Sequence, residues 1–162
     1  MIRIQCADDA NTVFELASDS LVGANLDGVV LHRAMLENAK MAGASLIGAN
    51  LRGSFLSGAD MSNCNLRGAV LITTILNDAI LTGATLENSR LIGAIFDNAK
   101  LGHVDFTGAD VSGAHFLGAD LRGATMLCRK LGEAKLTGAI FNSSTVWPEG
   151  FNPRSLGAVH CD

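Results

Sequence analysis

Residues that commonly bind metals or act as nucleophiles are few in this sequence and are scattered along it. The four cysteines, Cys6, Cys64, Cys128 and Cys161, form no CxxC pair and no Cys/His metal spacing. His103 and Asp105 flank one predicted turn without an evident third ligand. No Ser/His/Asp arrangement, phosphate loop or carboxylate pair is present, so we expect no enzyme activity, no cofactor and no metal site.

Composition sets further limits on the class of protein. The chain has 162 residues, of which 48% are hydrophobic and only 5% aromatic, with a net charge of −4. This favours one domain whose core is built from small and aliphatic side chains. A mildly acidic chain without a Lys/Arg cluster argues against nucleic-acid binding. No membrane-spanning run and no signal-peptide core are evident, so we expect a cytoplasmic protein that does not bind membranes.

A five-residue repeat sets the position of all these side chains. From Leu16 to Phe141 every fifth residue is apolar, and the 26 positions hold 18 Leu, 4 Phe, 3 Met and one Val. Two residues earlier, Ala fills 17 of the 24 positions between Ala24 and Ala139. Two residues later stand 14 of the 18 glycines. We name the five positions, in chain order, the small, second, Leu, fourth and Gly positions.

Neither a helix nor a flat strand explains a spacing of five. Successive Leu positions would rotate by a net ~140° around a helix, and an odd spacing would flip them across a strand. A short extended segment followed by a corner does explain it. The Gly position is then the third residue of a β-turn, which needs φ > 0 and favours Gly and Asn. Four equal corners close a 20-residue coil, although three sides would also close.

The repeats resemble those of the pentapeptide repeat family, whose motif is A-(D/N)-L-x-x. Good copies begin at Ala24, Ala49, Ala59, Ala109 and Ala119. The resemblance implies an all-β fold, a right-handed quadrilateral parallel β-helix of about six to seven coils. We place the repeat body at residues 16–146, an N-terminal cap at 1–15 and a C-terminal cap at 147–162. The TxWPxGF tail is similar to that of family members from photosynthetic bacteria.

The ends of a solenoid need caps, and short helices are candidates for both. Asp8 or Asp9 could start a helix that places Phe14 over the first coil. Trp147 and Phe151 are the expected lids at the other end, where Asn152-Pro153 is a helix-start signal. Arg129 occupies a small position and cannot be buried unpaired, which predicts a local bulge. Cys64 also occupies a small position and is expected to be a buried filler.

Stacking of residues i and i+20 predicts one unusual outward ladder. From Glu15 it continues with apolar residues and ends in His115 and Lys135. Across the preceding corner lie three more apolar side chains. The predicted interface residues are Met35, Phe55, Ile75, Ile95, Val70, Ile72 and Ile92. An exposed apolar patch of this kind marks an interface; the competing explanation is that β-branched residues simply stack well in strands.

These features favour a non-enzymatic protein-interaction rod, whose partner is either an unknown protein or a second copy of the chain in a homodimer. The resemblance also implies an alternative, since some family members mimic DNA and bind DNA gyrase. Those members are strongly acidic along the rod, whereas this chain has a modest net charge of −4, and Asp105, Asp110 and Asp120 make one end acidic. An ice-binding Thr array is disfavoured because Asp105 interrupts the ladder of Thr85, Thr125 and Thr145.

Overall fold

A computed structural model describes residues 1–6 and 13–162. It contains four short strands, β1 (Ile2–Gln5), β2 (Val13–Leu16), β3 (Ile140–Phe141) and β4 (Val159–His160). Two 3₁₀ turns cover Leu131–Glu133 and Pro153–Leu156. Neither is long or apolar enough to cross a membrane, and the described residues contain no other helix.

The repeat body is a stack of coils joined by single-residue bridges. Nearly all of these bridges join second positions 20 residues apart in parallel, as in Asn25–Ser45 and Ser45–Asn65. Four repeats therefore make one coil, which confirms four sides and excludes three. Two hydrogen bonds make each bridge: at Asn25–Ser45, Leu26 N donates to Ser45 O and Ser45 N donates to Ala24 O.

The corners are the predicted four-residue turns. Ala24 N donates to Leu21 O at 3.1 Å, and the same bond recurs from the small position to the preceding Leu position. From Gly23 to Gly123 every Gly position has a positive φ, for example 66° at Gly23. Asn38 and Asn63 adopt the same conformation, with φ of 57° and 55°. Asn tolerates this region better than other side-chain-bearing residues, which explains its place in the register.

The Leu and small positions point inward and fill the coil. The Ser and Thr residues at small positions are buried, and their hydroxyl groups donate to backbone carbonyls; Ser54 donates to Leu31 O and Thr74 to Leu51 O. Three phenylalanines at alternate Leu positions meet inside the coil. Phe96 and Phe116 stack with their ring centroids 5.1 Å apart, and Phe106 meets both rings edge-on.

The N-terminal end is a β-hairpin, so the expected helix reaching Phe14 is wrong. β1 pairs with β2 in antiparallel fashion, with Arg3 opposite Glu15. Alternation of Ile2 and Ile4 with polar residues is the strand signal that explains this outcome. Phe14 is half-buried and packs against the core. The proposed N-caps, Asp8 and Asp9, lie outside the described residues.

The irregularity expected at Arg129 is confirmed. Asp110 bridges Arg129, 19 residues on, instead of residue 130. Arg129 thus stands in a second position with its side chain exposed, and half-buried Cys128 packs against the core nearby. Lys130 is the extra residue, in the left-handed region at φ 63°. The register is restored by the 3₁₀ turn, which buries Leu131.

The C-terminal tail folds back over the last coil. Asn152 caps the second 3₁₀ turn by accepting a hydrogen bond from Arg154 N at 3.1 Å, as the Asn-Pro signal predicts. Half-buried Trp147 stacks on Phe151 at 5.5 Å and meets Phe141 edge-on at 5.6 Å. β4 then pairs in parallel with β3 and adds one more rung. That Trp147 and Phe151 cap the last coil remains a prediction. Their packing on each other and on Phe141 is the arrangement that such a cap requires.

Candidate interaction surface

Each face of the rod displays one ladder of second-position side chains. Three of the four ladders mix polar, charged and apolar residues. The fourth carries an uninterrupted apolar run over successive coils, because the bridges join Met35 to Phe55, Phe55 to Ile75 and Ile75 to Ile95. We call this run the apolar ladder.

The apolar ladder is partly shielded by its own stacking but is not buried. Met35, the first residue of the run, is 45% exposed. Phe55, Ile75 and Ile95 are half-buried, since each side chain covers part of its neighbour in the adjacent coil. The exposed part of these side chains faces away from the core.

The other predicted interface residues extend this surface around one corner. Ile72 and Ile92 occupy fourth positions of consecutive coils at the corner that precedes the ladder, and both are half-buried. Val70 lies on the neighbouring face, bridged to Asn50 and Arg90. The ladder and these three residues together form what we call the apolar strip. Their placement fits the hypothesis but does not test it.

Polar groups bound the ladder at both ends. His115 and Lys135 continue it beyond Ile95. At the other end Met35 N donates to Gln5 O at 2.8 Å, so β1 lies beside Met35. Glu15 does not continue the ladder as expected, because the hairpin pairs it with Arg3 at 2.7 Å. The apolar run is therefore limited to four coils.

The acidic residues near the C-terminal end do not form one surface. Asp105, Asp110 and Asp120 belong to bridge ladders of three different faces. A hydrogen bond from Ser112 holds the pKa of Asp110 below its usual value. Arg122 does the same to the pKa of Asp120 by a bidentate contact, with Nε at 2.8 Å and Nη2 at 2.6 Å. The carboxylates are thus satisfied locally.

The remaining sequence candidates are explained by packing. Burial raises the pKa of Cys64 to about 11, and its thiol donates to Met41 O at 3.0 Å, which confirms the buried filler. Asp105 accepts hydrogen bonds from Thr107, whereas His103 lies against Gly123 in the next coil. Within the described residues, no group of three or more His, Cys, Asp or Glu is placed to hold a metal ion.

One feature that the sequence did not indicate is a notch near His103. It has a volume of about 480 Å³ and is lined in part by Lys100, Gly102 and Arg122. The feature of the sequence that could have indicated this notch is Gly102, a glycine that stands in a fourth position instead of a Gly position. Stacking of charged residues from neighbouring coils around that glycine could have been worked out from the register.

Comparison with known proteins gives fold relatives and no curated match. No curated protein matches the chain significantly. HetL, a pentapeptide repeat protein involved in heterocyst differentiation regulation from the cyanobacterium Nostoc sp. strain PCC 7120, is 24% identical over 83% of this chain and 71% of its own, with a TM-score of 0.49. QnrB1, a plasmid-mediated fluoroquinolone resistance protein, is 21% identical over 77% of this chain and 66% of its own, with a TM-score of 0.52.

The family assignment rests on the repeats themselves. A family profile described as "Pentapeptide repeats" matches eight copies, in residues 20–48, 39–78, 74–108 and 99–142. These segments span the coils whose bridges join residues 20 apart. The fold of solved relatives such as QnrB1 is the right-handed quadrilateral β-helix. With most of its length matched and the same four-sided coil, this chain belongs to the pentapeptide repeat family.

Proposed function

We propose that the protein is a non-enzymatic, cytoplasmic interaction rod that self-associates as a homodimer through the apolar strip. The observation that supports this most is the uninterrupted run of Met35, Phe55, Ile75 and Ile95 on one face. Neighbouring second positions on the other faces are mostly polar or charged. A protein that needed only strand stacking would have no reason to confine this run to one face.

The energetics favour covering the strip. Removing apolar surface from water is favourable by roughly 25 cal/mol per Å². A rigid rod presents its side chains in fixed positions, so little conformational entropy is lost when two such faces meet. Pairing two copies about a two-fold axis would place the same strip on both sides of the interface. An unidentified protein with a matching apolar face is the other partner that the strip fits.

Solution mass measured by light scattering on a sizing column tests this proposal. We expect a dimer for the wild type and folded monomers for Phe55→Asp/Ile75→Asp. The matched control, Asn65→Asp/Thr85→Asp, adds the same charges in the same coils on another face and should stay dimeric. A wild-type monomer at all concentrations, or a dimer that persists in the first variant with unchanged affinity, would overturn self-association through this strip.

A DNA mimic that binds DNA gyrase is the second candidate, and the charge distribution supports it less. Such a mimic needs rows of carboxylates along the rod. Here Asp110 lies between Arg90 and Arg129 in its ladder, and Asp60 lies between Lys40 and Ile80. A gyrase supercoiling assay separates the candidates. We expect no inhibition at a large excess of protein, whereas inhibition would favour the mimic.

A further inference from the structure

The notch near His103 is created by one missing side chain. At the corner diagonally opposite the apolar strip, the fourth positions of three consecutive coils hold Thr82, Gly102 and Arg122. Gly102 interrupts the ridge that side chains form at this corner. The notch is lined by Thr82, Lys100, Gly102, His103, Arg122 and Asn142, with Asp120 as one wall.

The backbone does not require a glycine at residue 102. Gly102 is absent from the residues with positive φ, unlike the glycines of the Gly positions. A Cβ added there would meet Arg122 O at 3.5 Å and the Thr82 methyl group at 3.9 Å, which are ordinary contacts. Other fourth positions hold large side chains such as Leu117. The open space is therefore a local property of this corner and not a demand of the fold.

The groups around the notch are mainly hydrogen-bond donors and carry a net positive charge. Arg122 and Asp120 neutralise each other through their bidentate contact at 2.8 and 2.6 Å. Both Asp120 oxygens are thereby engaged. Within the described residues, no carboxylate lies within ion-pair distance of Lys100, although Asp120 bridges it in the next coil. Lys100 therefore adds a positive charge that this wall does not cancel.

We propose that this notch binds a small oxyanion, the chemistry shared by phosphate groups and carboxylates. Lys100 supplies the charge. His103 supplies an imidazole N–H in either charge state, and the remaining guanidinium N–H groups of Arg122 supply further donors. The Thr82 hydroxyl and the Asn142 amide complete a set of donors around a water-accessible space of about 480 Å³. The open side admits an anion that is part of a larger molecule.

Amide NMR shifts of Gly102, His103 and Arg122 test the site. The protein is titrated with inorganic phosphate and separately with succinate, at an ionic strength held constant with sodium chloride. We expect saturable shifts at these amides with at least one anion. Saturation by phosphate alone identifies a phosphate-binding site, and saturation by succinate alone identifies a carboxylate-binding site. The absence of saturable shifts with either anion overturns the proposal.

Two variants and one control make the test specific. Lys100→Gln should weaken the apparent affinity by about threefold or more, as expected for loss of an exposed charge contact. Gly102→Leu should abolish binding by filling the notch. Lys40→Gln removes a charge from the same face three coils away and should leave the affinity unchanged. Equal affinity in Lys100→Gln and the wild type would overturn the proposal. The result is independent of the oligomeric state, since the apolar strip lies at the opposite corner.

Discussion

Side chains at the Gly positions limit what the next coil can hold. The carboxamide oxygen of Asn63 lies 2.5 Å from where a Cβ on Gly83 would stand. The same relation holds between Asn98 and Gly118, at 2.6 Å, and between His103 and Gly123, at 2.5 Å. Each Asn or His at a Gly position therefore occupies the space above the following glycine. Gly in the next coil is required by this contact as well as by its φ.

We predict that Gly83→Ala destabilises the protein more than Gly68→Ala. Both residues have positive φ, 72° and 65°, so both variants lose about 1–2 kcal/mol to the left-handed conformation. Gly68 has no atom within 4 Å of an added Cβ, whereas Gly83 must displace Asn63. That displacement should add about 1 kcal/mol. Urea unfolding of the two variants measures the difference.

A double-mutant cycle isolates the cause of this difference. Asn63→Gly removes the obstructing side chain and keeps a residue that tolerates positive φ. In this background Gly83→Ala should cost no more than Gly68→Ala does. If the extra cost persists without Asn63, the stacking explanation is wrong.

Asp120 should stabilise the fold in a pH-dependent way. Hydrogen bonding from Arg122 lowers the pKa of Asp120 from its usual 3.8, so the unfolded chain takes up the proton more readily than the folded one. The stabilisation is complete above about pH 3.8 and is lost as the pH falls through the folded pKa. We expect the stability gap between wild type and Asp120→Asn to close in that acidic range. A stability gap that is constant from pH 7 to below 3 would contradict this assignment. In an Arg122→Gln background, most of the stability difference that Asp120→Asn causes at neutral pH should be absent, because the hydrogen-bond donor is gone.

At the scale of the elements, the repeat body could be predicted and the ends could not. Every side of every coil repeats the same inward Leu and small positions, so one short period determines the turns, the core and the ladders. The hairpin at the N-terminus depends on the non-local pairing of β1 with β2, in which Arg3 lies opposite Glu15. In the sequence, the helix-start signal at Asp8 and Asp9 obscured the alternating pattern of the strands. The notch depends on three residues 20 positions apart around Gly102, which no local motif marks.

The C-terminal lid gives a test at this scale. Trp147 packs between Phe141 and Phe151, so Trp147→Ala should reduce the free energy of unfolding by about 2 kcal/mol, less than a fully buried Trp. Trp147→Phe should cost much less, because no described residue accepts a hydrogen bond from the buried indole N–H. Thermal unfolding compares both variants with Glu149→Ala, an exposed neighbour. Equal stability of Trp147→Ala and the wild type would show that the ring is not a lid.

At the scale of the whole molecule, the 20-residue coil turns a sequence pattern into separate surfaces. It brings four apolar side chains, each 20 residues from the next, onto one face. It also places the charged notch on the opposite corner, so the rod has two chemically different sides. The proposed self-association uses the first side and leaves the second side accessible to another molecule.

Ile methyl NMR during dilution is the most direct test of the proposed homodimer. Four isoleucines lie in the apolar strip, at positions 72, 75, 92 and 95, while Ile47 and Ile80 lie elsewhere on the rod surface. Dissociation should shift the four strip signals together with a single midpoint concentration and leave Ile47 and Ile80 unchanged. Signals that do not move over the full concentration range, or shifts centred on Ile47 or Ile80, would contradict self-association through the apolar strip.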